Sequence, residues 1–343
     1  MLVLCLFVAF IFFYRVKYDK TQQYFMTKEY SDNWKGILCI MIMISHILEL
    51  YHWPNILYNI HSFAYIFVAL FFMFSGYGLK YSYNHNQDYM KSFVSKRLLR
   101  VYIPYLLCNI LVDIILRKVI LLPEEFGLSD IVEMIFGVNA RWFIQVLLIL
   151  YLIFWVSFKF FPKQGNKIVF IAIFIFIIIG ACLKIDKQRY GSLIPFAFGI
   201  VMADRINDIR LKKINLVKVI CAIILAGIFE IFYYFNKEAI WLGTVLFRNC
   251  LCVAIVIGFL ELSKIIKNGN VISGFFGKIS YEFFLVHIAA LLIVKYRLSF
   301  LPIDVQAIII FVFSTVLAYV MNIIDKSAVN FISSFTTKRI INK

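Results

Sequence analysis

The sequence contains few charged residues, since Asp, Glu, Lys and Arg make up only 16% of its 343 residues. Soluble domains carry about a quarter charged residues, so this shortage excludes an ordinary cytosolic enzyme. Proline is also scarce, with six residues, and no stretch rich in Ser, Gly or Pro separates one region from another. The pattern therefore indicates one domain without an internal linker.

Residues that hold metals or form disulfides are equally sparse. All seven cysteines lie inside apolar blocks, where a thiol behaves as a small hydrophobic side chain. Cys250 and Cys252 form a C-x-C pair, but no second pair and no nearby histidine accompany them. We therefore expect neither a metal site nor a disulfide.

Long apolar stretches dominate the chain. Hydrophobic residues make up 63% of it, and the mean hydropathy is +0.87. A membrane-spanning helix needs about 20 apolar residues. The pattern predicts an all-α polytopic integral membrane protein with about ten core transmembrane helices and a short N-terminal helix over 1–14. The predicted core spans are 35–50, 60–80, 101–121, 142–161, 168–183, 190–203, 214–235, 240–262, 279–294 and 302–323.

The basic residues indicate which way these spans run. If 35–50 runs outward from the cytoplasm, most of the 35 Lys and Arg residues fall on the cytoplasmic side, as the positive-inside rule requires. The net charge of +16 is then mainly an orientation signal, and we expect no nucleic-acid partner. The predicted parts are an N-terminal membrane anchor and cytoplasmic linker over 1–29, a membrane domain over 30–325 and a basic cytoplasmic tail over 326–343.

The first core span carries three ionisable side chains on one helical face. Lys35 opens it, and His46 follows eleven positions later, close to three full turns. Glu49 lies three positions after His46, so its carboxylate can orient the imidazole and raise its basicity. Ionisable groups are costly inside a bilayer, and this aligned set favours chemistry over the helix-packing role of a lone histidine.

Two further segments lie near the predicted cytoplasmic surface. Ser75 and Gly76 are near the inner end of the second core span, where a small-residue packing notch is the simpler interpretation. Arg97 and Arg100 form a basic fork before the third core span. Such a fork holds either lipid headgroups or the phosphate of a cosubstrate.

Few other polar side chains lie within the spans. His287 lies in 279–294, where it either takes part in chemistry or packs between helices. Glu49, Glu230 and Arg248 lie in the outer half of their spans. These three residues either polarise an acceptor sugar or pair with each other.

Five short motifs occur in order along the chain. Lys35 and His46 form the first, a basic residue followed by ten positions and a histidine. The others are FF-x-x-SG over 71–76, R-x-x-R with a nearby proline over 97–104, Trp-Phe at 142–143 and SY-x-x-F-L-x-H over 280–287. With these motifs, residues 30–325 resemble the membrane acyltransferase 3 family, although many members carry Arg where this chain has Lys35.

The resemblance implies an O-acyltransferase of the bacterial plasma membrane, multi-pass and with a cytoplasmic C-terminus. It implies transfer of an acetyl group from cytoplasmic acetyl-CoA to a hydroxyl of an envelope polysaccharide or its lipid-linked precursor. Some members carry a soluble transferase domain after the last span and this chain shows none, so transfer is expected either to finish in the membrane domain or to pass to a separate extracytoplasmic transferase. The implied catalytic residues are His46, Glu49 and His287, and the implied acyl-donor-binding residues are Lys35, Ser75, Arg97 and Arg100.

Alternatives stay open at two levels. His46 acts either as general base on the acceptor hydroxyl or as the carrier of a covalent acyl group. At the level of function, a flippase or exporter of a lipid-linked or extracellular polysaccharide also has polar residues near the membrane midplane. A structural or sensory membrane module is the third option. The few prolines and the lack of an evident repeat disfavour a transporter.

Overall fold

The computed structural model describes residues 2–52, 61, 63–120, 132, 135, 142–236 and 241–341. It is about 82% helical with almost no strand. Eight of the described helices are long and apolar enough to cross a membrane. The chain is therefore an all-α, multi-pass membrane protein, as its hydropathy predicted.

Thirteen α-helices are present in the described part of the chain, and five of them carry most of the site. Those five are α2 (Lys28–Leu50), α3 (Ala64–His85), α4 (Phe93–Arg97), α6 (Trp142–Phe160) and α12 (Val271–Arg297). The others are α1 (Leu2–Phe13), α5 (Ile103–Ile120), α7 (Gly165–Cys182), α8 (Ile194–Asp204), α9 (Ile206–Leu211), α10 (Leu216–Asn236), α11 (Trp241–Ser263) and α13 (Ile303–Ile341). A two-residue strand, β1 (Lys17–Tyr18), pairs antiparallel with β2 (Ile266–Lys267).

The ends of several helices depend on capping residues and helix breakers rather than on hydropathy. The helix around the predicted span 279–294 already begins at Val271, because Asn270 caps it and forms a capping box with Ser273. The last helix continues beyond 302–323 to Ile341, since residues 324–341 contain neither Gly nor Pro. Hydropathy marks the membrane edge, and a helix needs a breaker to stop there.

Two helices are shorter than the spans predicted for them. The span 190–203 corresponds to α8, which has 11 residues, and 1–14 corresponds to α1, which has 12. These lengths are about 16 and 18 Å, against a hydrocarbon core of about 30 Å. The Asn249 carboxamide accepts hydrogen bonds from Leu193 and Ile194 at the start of α8. It thereby satisfies backbone donors that would otherwise be unpaired inside the protein.

The polypeptide between α4 and α5 forms one π-helical turn, Leu98–Tyr102. Pro104 lies just beyond it, and a proline inside a helix removes a backbone hydrogen bond and crowds the carbonyl four residues earlier. The wider turn accommodates this ring. The Val101 carbonyl within the turn accepts a hydrogen bond of 2.7 Å from the Tyr281 hydroxyl of α12.

Helices α2 and α12 approach so closely that only glycine fits between them. A Cβ on Gly36 would lie 2.5 Å from the Ser273 carbonyl oxygen, and one on Gly277 would collide with the Asp32 carbonyl. Small residues allow this kind of backbone approach in membrane helices. The contact fixes how α2 and α12 are placed along each other.

A second glycine contact joins α3 and α8. A Cβ on Gly76 would collide with the Phe196 carbonyl, and one on Gly199 would collide with the Met73 carbonyl. Gly76 therefore serves helix packing, as the simpler interpretation of 75–76 held. At the inner end of the same helix pair, Lys80 forms an ion pair with Asp204 at 3.3 Å.

Candidate functional site

The glycine contact between α2 and α12 places two histidines at the same height. His46 follows Gly36 by ten residues and His287 follows Gly277 by ten residues, which is about 15 Å along each helix. The two ring centroids are 5.3 Å apart, with the planes inclined by 31°. Two histidines that are 241 positions apart in the sequence therefore form one imidazole pair.

Hydrogen-bond partners orient both rings. The Nδ1 atom of His287 lies 3.2 Å from the Phe283 carbonyl oxygen, which can only accept, so this nitrogen carries the proton. Its Nε2 atom is buried and has no hydrogen-bond partner among the described residues. His46 directs Nδ1 toward Glu49 at 3.5 Å, which leaves its Nε2 atom available as a base.

The two histidines differ in accessibility. The His287 residue is 2% exposed, whereas the side chains of His46 and Glu49 are 37% and 58% exposed. The Glu49 carboxylate also lies within electrostatic range of His52 and His61. His46 is thus the imidazole that an incoming substrate can reach, with His287 behind it.

Aromatic rings from three motifs form a row of contacts that ends at His287. The Phe143 ring stacks on Phe72 with centroids 5.1 Å apart, and its centroid lies 6.4 Å from that of Phe71. Phe143 also packs against Phe284, with centroids 4.5 Å apart, and the Phe284 centroid lies 5.7 Å from that of His287. The FF-x-x-SG, Trp-Phe and SY-x-x-F-L-x-H motifs therefore form one continuous apolar wall.

A second cluster of polar side chains surrounds Arg97. Its Nη2 atom donates to the Tyr89 hydroxyl at 2.6 Å, and the guanidinium lies 5.2 Å from the Tyr151 ring centre. The Tyr151 hydroxyl interacts in turn with the Ser75 hydroxyl. Burial disfavours the charge on Arg97, but Tyr151 and Tyr89 together favour it more strongly and raise its pKa. Tyr151 therefore links the positive charge of Arg97 to Ser75.

Arg97 also lines a cavity of about 360 Å³ at the predicted cytoplasmic side. Its lining combines three cationic side chains with aromatic rings and amides: Tyr81, Ser82, His85, Asn86, Tyr89, Phe93, Lys96, Arg97 and Arg100. Tyr81 and His85 stack with ring centroids 4.1 Å apart. Such a cavity offers a flat ring surface next to anion-binding groups.

The donor-binding residues named from the sequence are only partly brought together. Arg97 and Arg100 share the cavity, and Ser75 reaches Arg97 through Tyr151. Lys35 does not line the cavity, although it lies within electrostatic range of Arg97. Its ammonium group forms an ion pair with Asp32 at 3.8 Å instead.

Glu230 and Arg248 are connected through a third residue. The Tyr65 hydroxyl donates to the Glu230 carboxylate at 3.3 Å, and the Arg248 guanidinium lies 4.1 Å from the Tyr65 ring centre. The two charged groups therefore share Tyr65 as a neighbour, without an ion pair between them among the described residues.

Sequence reasoning missed several residues of the site. Tyr89 and Tyr151 hold Arg97, and neither lies in a motif. A weak signal existed for the ring surface, because Tyr77, Tyr81 and His85 recur every four residues and therefore share one helical face. No local pattern pointed to Tyr151, which reaches the site from a different helix.

The comparisons with known proteins identify the family. Neither a curated protein nor a solved structure matches the chain. A family model described as an acyltransferase domain, that of the acyltransferase 3 family, matches residues 28–323, which include every motif above. The chain therefore belongs to the acyltransferase 3 family, and it is a membrane acyltransferase.

Proposed function

We propose that this acyltransferase moves an acetyl group from cytoplasmic acetyl-CoA to a hydroxyl of an envelope polysaccharide or its lipid-linked precursor. The observation that carries the proposal is the pair formed by the accessible His46 and the buried His287, whose ring centroids are 5.3 Å apart. An exposed general base backed by a second, buried imidazole suits proton transfer from an alcohol. Family membership supplies the reaction class.

The cavity around Arg97 and Arg100 supports a coenzyme A donor. Guanidinium groups bind phosphates through paired, charge-assisted hydrogen bonds, and the Tyr81–His85 stack provides a surface for an adenine ring. The reactive thioester lies at the far end of a long flexible arm. Along α2, the distance from Lys35, which lies within electrostatic range of Arg97, to His46 is about 16 Å.

In the proposed step, the acceptor hydroxyl oxygen attacks the thioester carbonyl carbon while its proton moves to Nε2 of His46. The carbon–sulfur bond then breaks, coenzyme A leaves as the thiolate, and the proton passes on to it. Glu49 holds Nδ1 of His46 and stabilises the imidazolium that forms. An acyl group carried on His46 is the competing route, in which the same nitrogen attacks first.

The test uses purified protein in detergent with labelled acetyl-CoA, with and without a polysaccharide acceptor. We expect acceptor-dependent release of coenzyme A that falls by about 10²- to 10⁴-fold in His46→Ala, the usual contribution of a general base. Equal binding of acetyl-CoA by both proteins shows that the variant is folded. Unchanged release in His46→Ala would refute the mechanism, and movement of a lipid-linked sugar without coenzyme A release would support a flippase instead.

A further inference from the structure

A second and larger cavity lies away from the histidine pair, between α8, α9, α10 and α11. Its volume is about 610 Å³. Most of its wall is hydrophobic, formed by Phe198, Val201, Met202, Ile209, Ala222, Leu225, Ala254, Ile257 and Leu260. The exposed Cys221 of α10 also lines it.

Cationic side chains gather on the lining of this cavity. Four are present, Arg205, Lys212, Lys218 and Lys264, together with the acids Asp208 and Glu261. Their positions in the chain fall between and at the ends of spans on the side predicted to be cytoplasmic. The lining therefore carries an excess of positive charge over an otherwise apolar cavity.

Glu261 of α11 neutralises only part of this positive charge. Lys264 lies 2.9 Å from both carboxylate oxygens of Glu261, and Lys218 approaches the same carboxylate at 3.6 Å. Arg205 and Lys212 have no carboxylate within ion-pair distance among the described residues. Two cations are thus left available for an external anion.

We infer that this cavity binds an anionic glycerophospholipid of the inner leaflet, its phosphate at Arg205 and Lys212 and an acyl chain along the apolar wall. Basic pockets between membrane helices on the cytoplasmic side bind anionic headgroups. A free phosphate would use the cations but leave the wall uncovered, whereas a lipid matches both parts. The exposure of α10, of whose membrane-length window only 11% is buried, gives a lipid lateral access.

Alkylation of Cys221 tests this site. Purified protein is treated with N-ethylmaleimide after addition of phosphatidylglycerol, phosphatidylcholine, polyprenyl phosphate or inorganic phosphate, and each cysteine is followed by peptide mass spectrometry. We expect phosphatidylglycerol alone to slow modification of Cys221. Cys182, which is exposed but does not line the cavity, serves as the internal control.

A double variant, Arg205→Gln with Lys212→Gln, separates charge from hydrophobic coverage. We expect it to weaken phosphatidylglycerol binding by about thirtyfold, roughly fivefold for each cation removed. Lys213→Gln is the matched control, because Lys213 is exposed and adjacent but does not line the cavity. Equal protection by phosphatidylcholine, protection by polyprenyl phosphate or inorganic phosphate instead, or full binding by the double variant would each overturn the inference. Acetyl transfer by the wild-type protein is measured separately and does not enter this test.

Discussion

Helices α2 and α10 are both long enough to span a membrane, yet their surroundings are opposite. Within their membrane-length windows, 72% of α2 but only 11% of α10 is buried in the protein. The buried helix is the less hydrophobic of the two and carries Lys35, His46 and Glu49. The exposed one presents isoleucine, leucine and phenylalanine side chains.

The difference shows where a membrane protein keeps its chemistry. Polar groups are costly against lipid, so they collect on helices that the protein itself surrounds. Close backbone contacts then need small residues, as at Gly36 and Gly277. On α10 the lipid-facing side needs only apolar surface, while Glu230 and the cavity-lining residues lie elsewhere on the same helix. Substitutions in the two regions are therefore expected to differ sharply in effect.

The largest effect among these comparisons is expected at His287, the buried member of the pair. In His287→Asn, the side-chain amide can still donate to the Phe283 carbonyl, but Nε2 is lost. We expect acceptor-dependent coenzyme A release to slow by about 100-fold while the protein stays folded. Single-turnover kinetics measure it. A rate equal to wild type would assign His287 to helix packing.

The second largest effect is expected at the glycine contact between α2 and α12, which places the two histidines next to each other. In Gly277→Ala, the new methyl group collides with the Asp32 carbonyl, and we expect a loss of about 1–3 kcal/mol of stability from overpacking. Gly274→Ala is the matched control one turn earlier, because its Cβ would lie 3.5 Å from the nearest atom, the Asn33 Oδ1. Thermal unfolding in detergent compares them, and equal losses would contradict the close-contact explanation.

A smaller effect is expected at the donor cavity. Arg97→Gln removes a guanidinium that hydrogen-bonds Tyr89, and we expect the KM for acetyl-CoA to rise about tenfold because a charged hydrogen bond is lost. The value of kcat should change little. Lys91→Gln is the control, since Lys91 is exposed, pairs with Asp88 at 2.8 Å and lies outside the cavity. An unchanged KM in Arg97→Gln would leave this residue as a membrane-surface anchor.

The smallest effect is expected on α10. No atom lies within 4 Å of a Cβ built on Gly227, so Gly227→Ala adds only helix propensity. We expect stability to rise by at most about 1 kcal/mol and acetyl transfer to stay at the wild-type rate. Thermal unfolding and the transfer assay check both. A clear loss in either would show that Gly227 does not lie on a purely lipid-facing surface.

Much of the fold could be predicted because membrane hydropathy and the placement of basic residues are local properties. The apolar stretches marked the spanning helices, and five motifs indicated the family. Helix ends were predicted less well, since Asn270 caps α12 well before its apolar stretch begins and nothing interrupts α13 after it. Such ends depend on capping groups and breakers, which hydropathy does not measure.

The sequence predicted several residues of the candidate site, but it did not predict which side chains they contact. The sequence pointed to His46, Arg97 and His287, whereas Tyr89 and Tyr151 carried no recognisable signal. Lys35 was expected with Arg97 and Arg100, but it pairs with Asp32 and lies outside their cavity. Side-chain partners on other helices depend on how those helices cross, which spacing within one helix does not reveal.

Sequence alone determined that this chain is an all-α membrane protein of the acyltransferase 3 type, because apolar length and motif order can be read without knowing any contact. Only the tertiary structure decided which residues meet. The ten-residue spacing from Gly36 to His46 recurs from Gly277 to His287, and it acquires meaning only once the two glycines are in contact. Backbone packing at that one crossing brings the two imidazoles together.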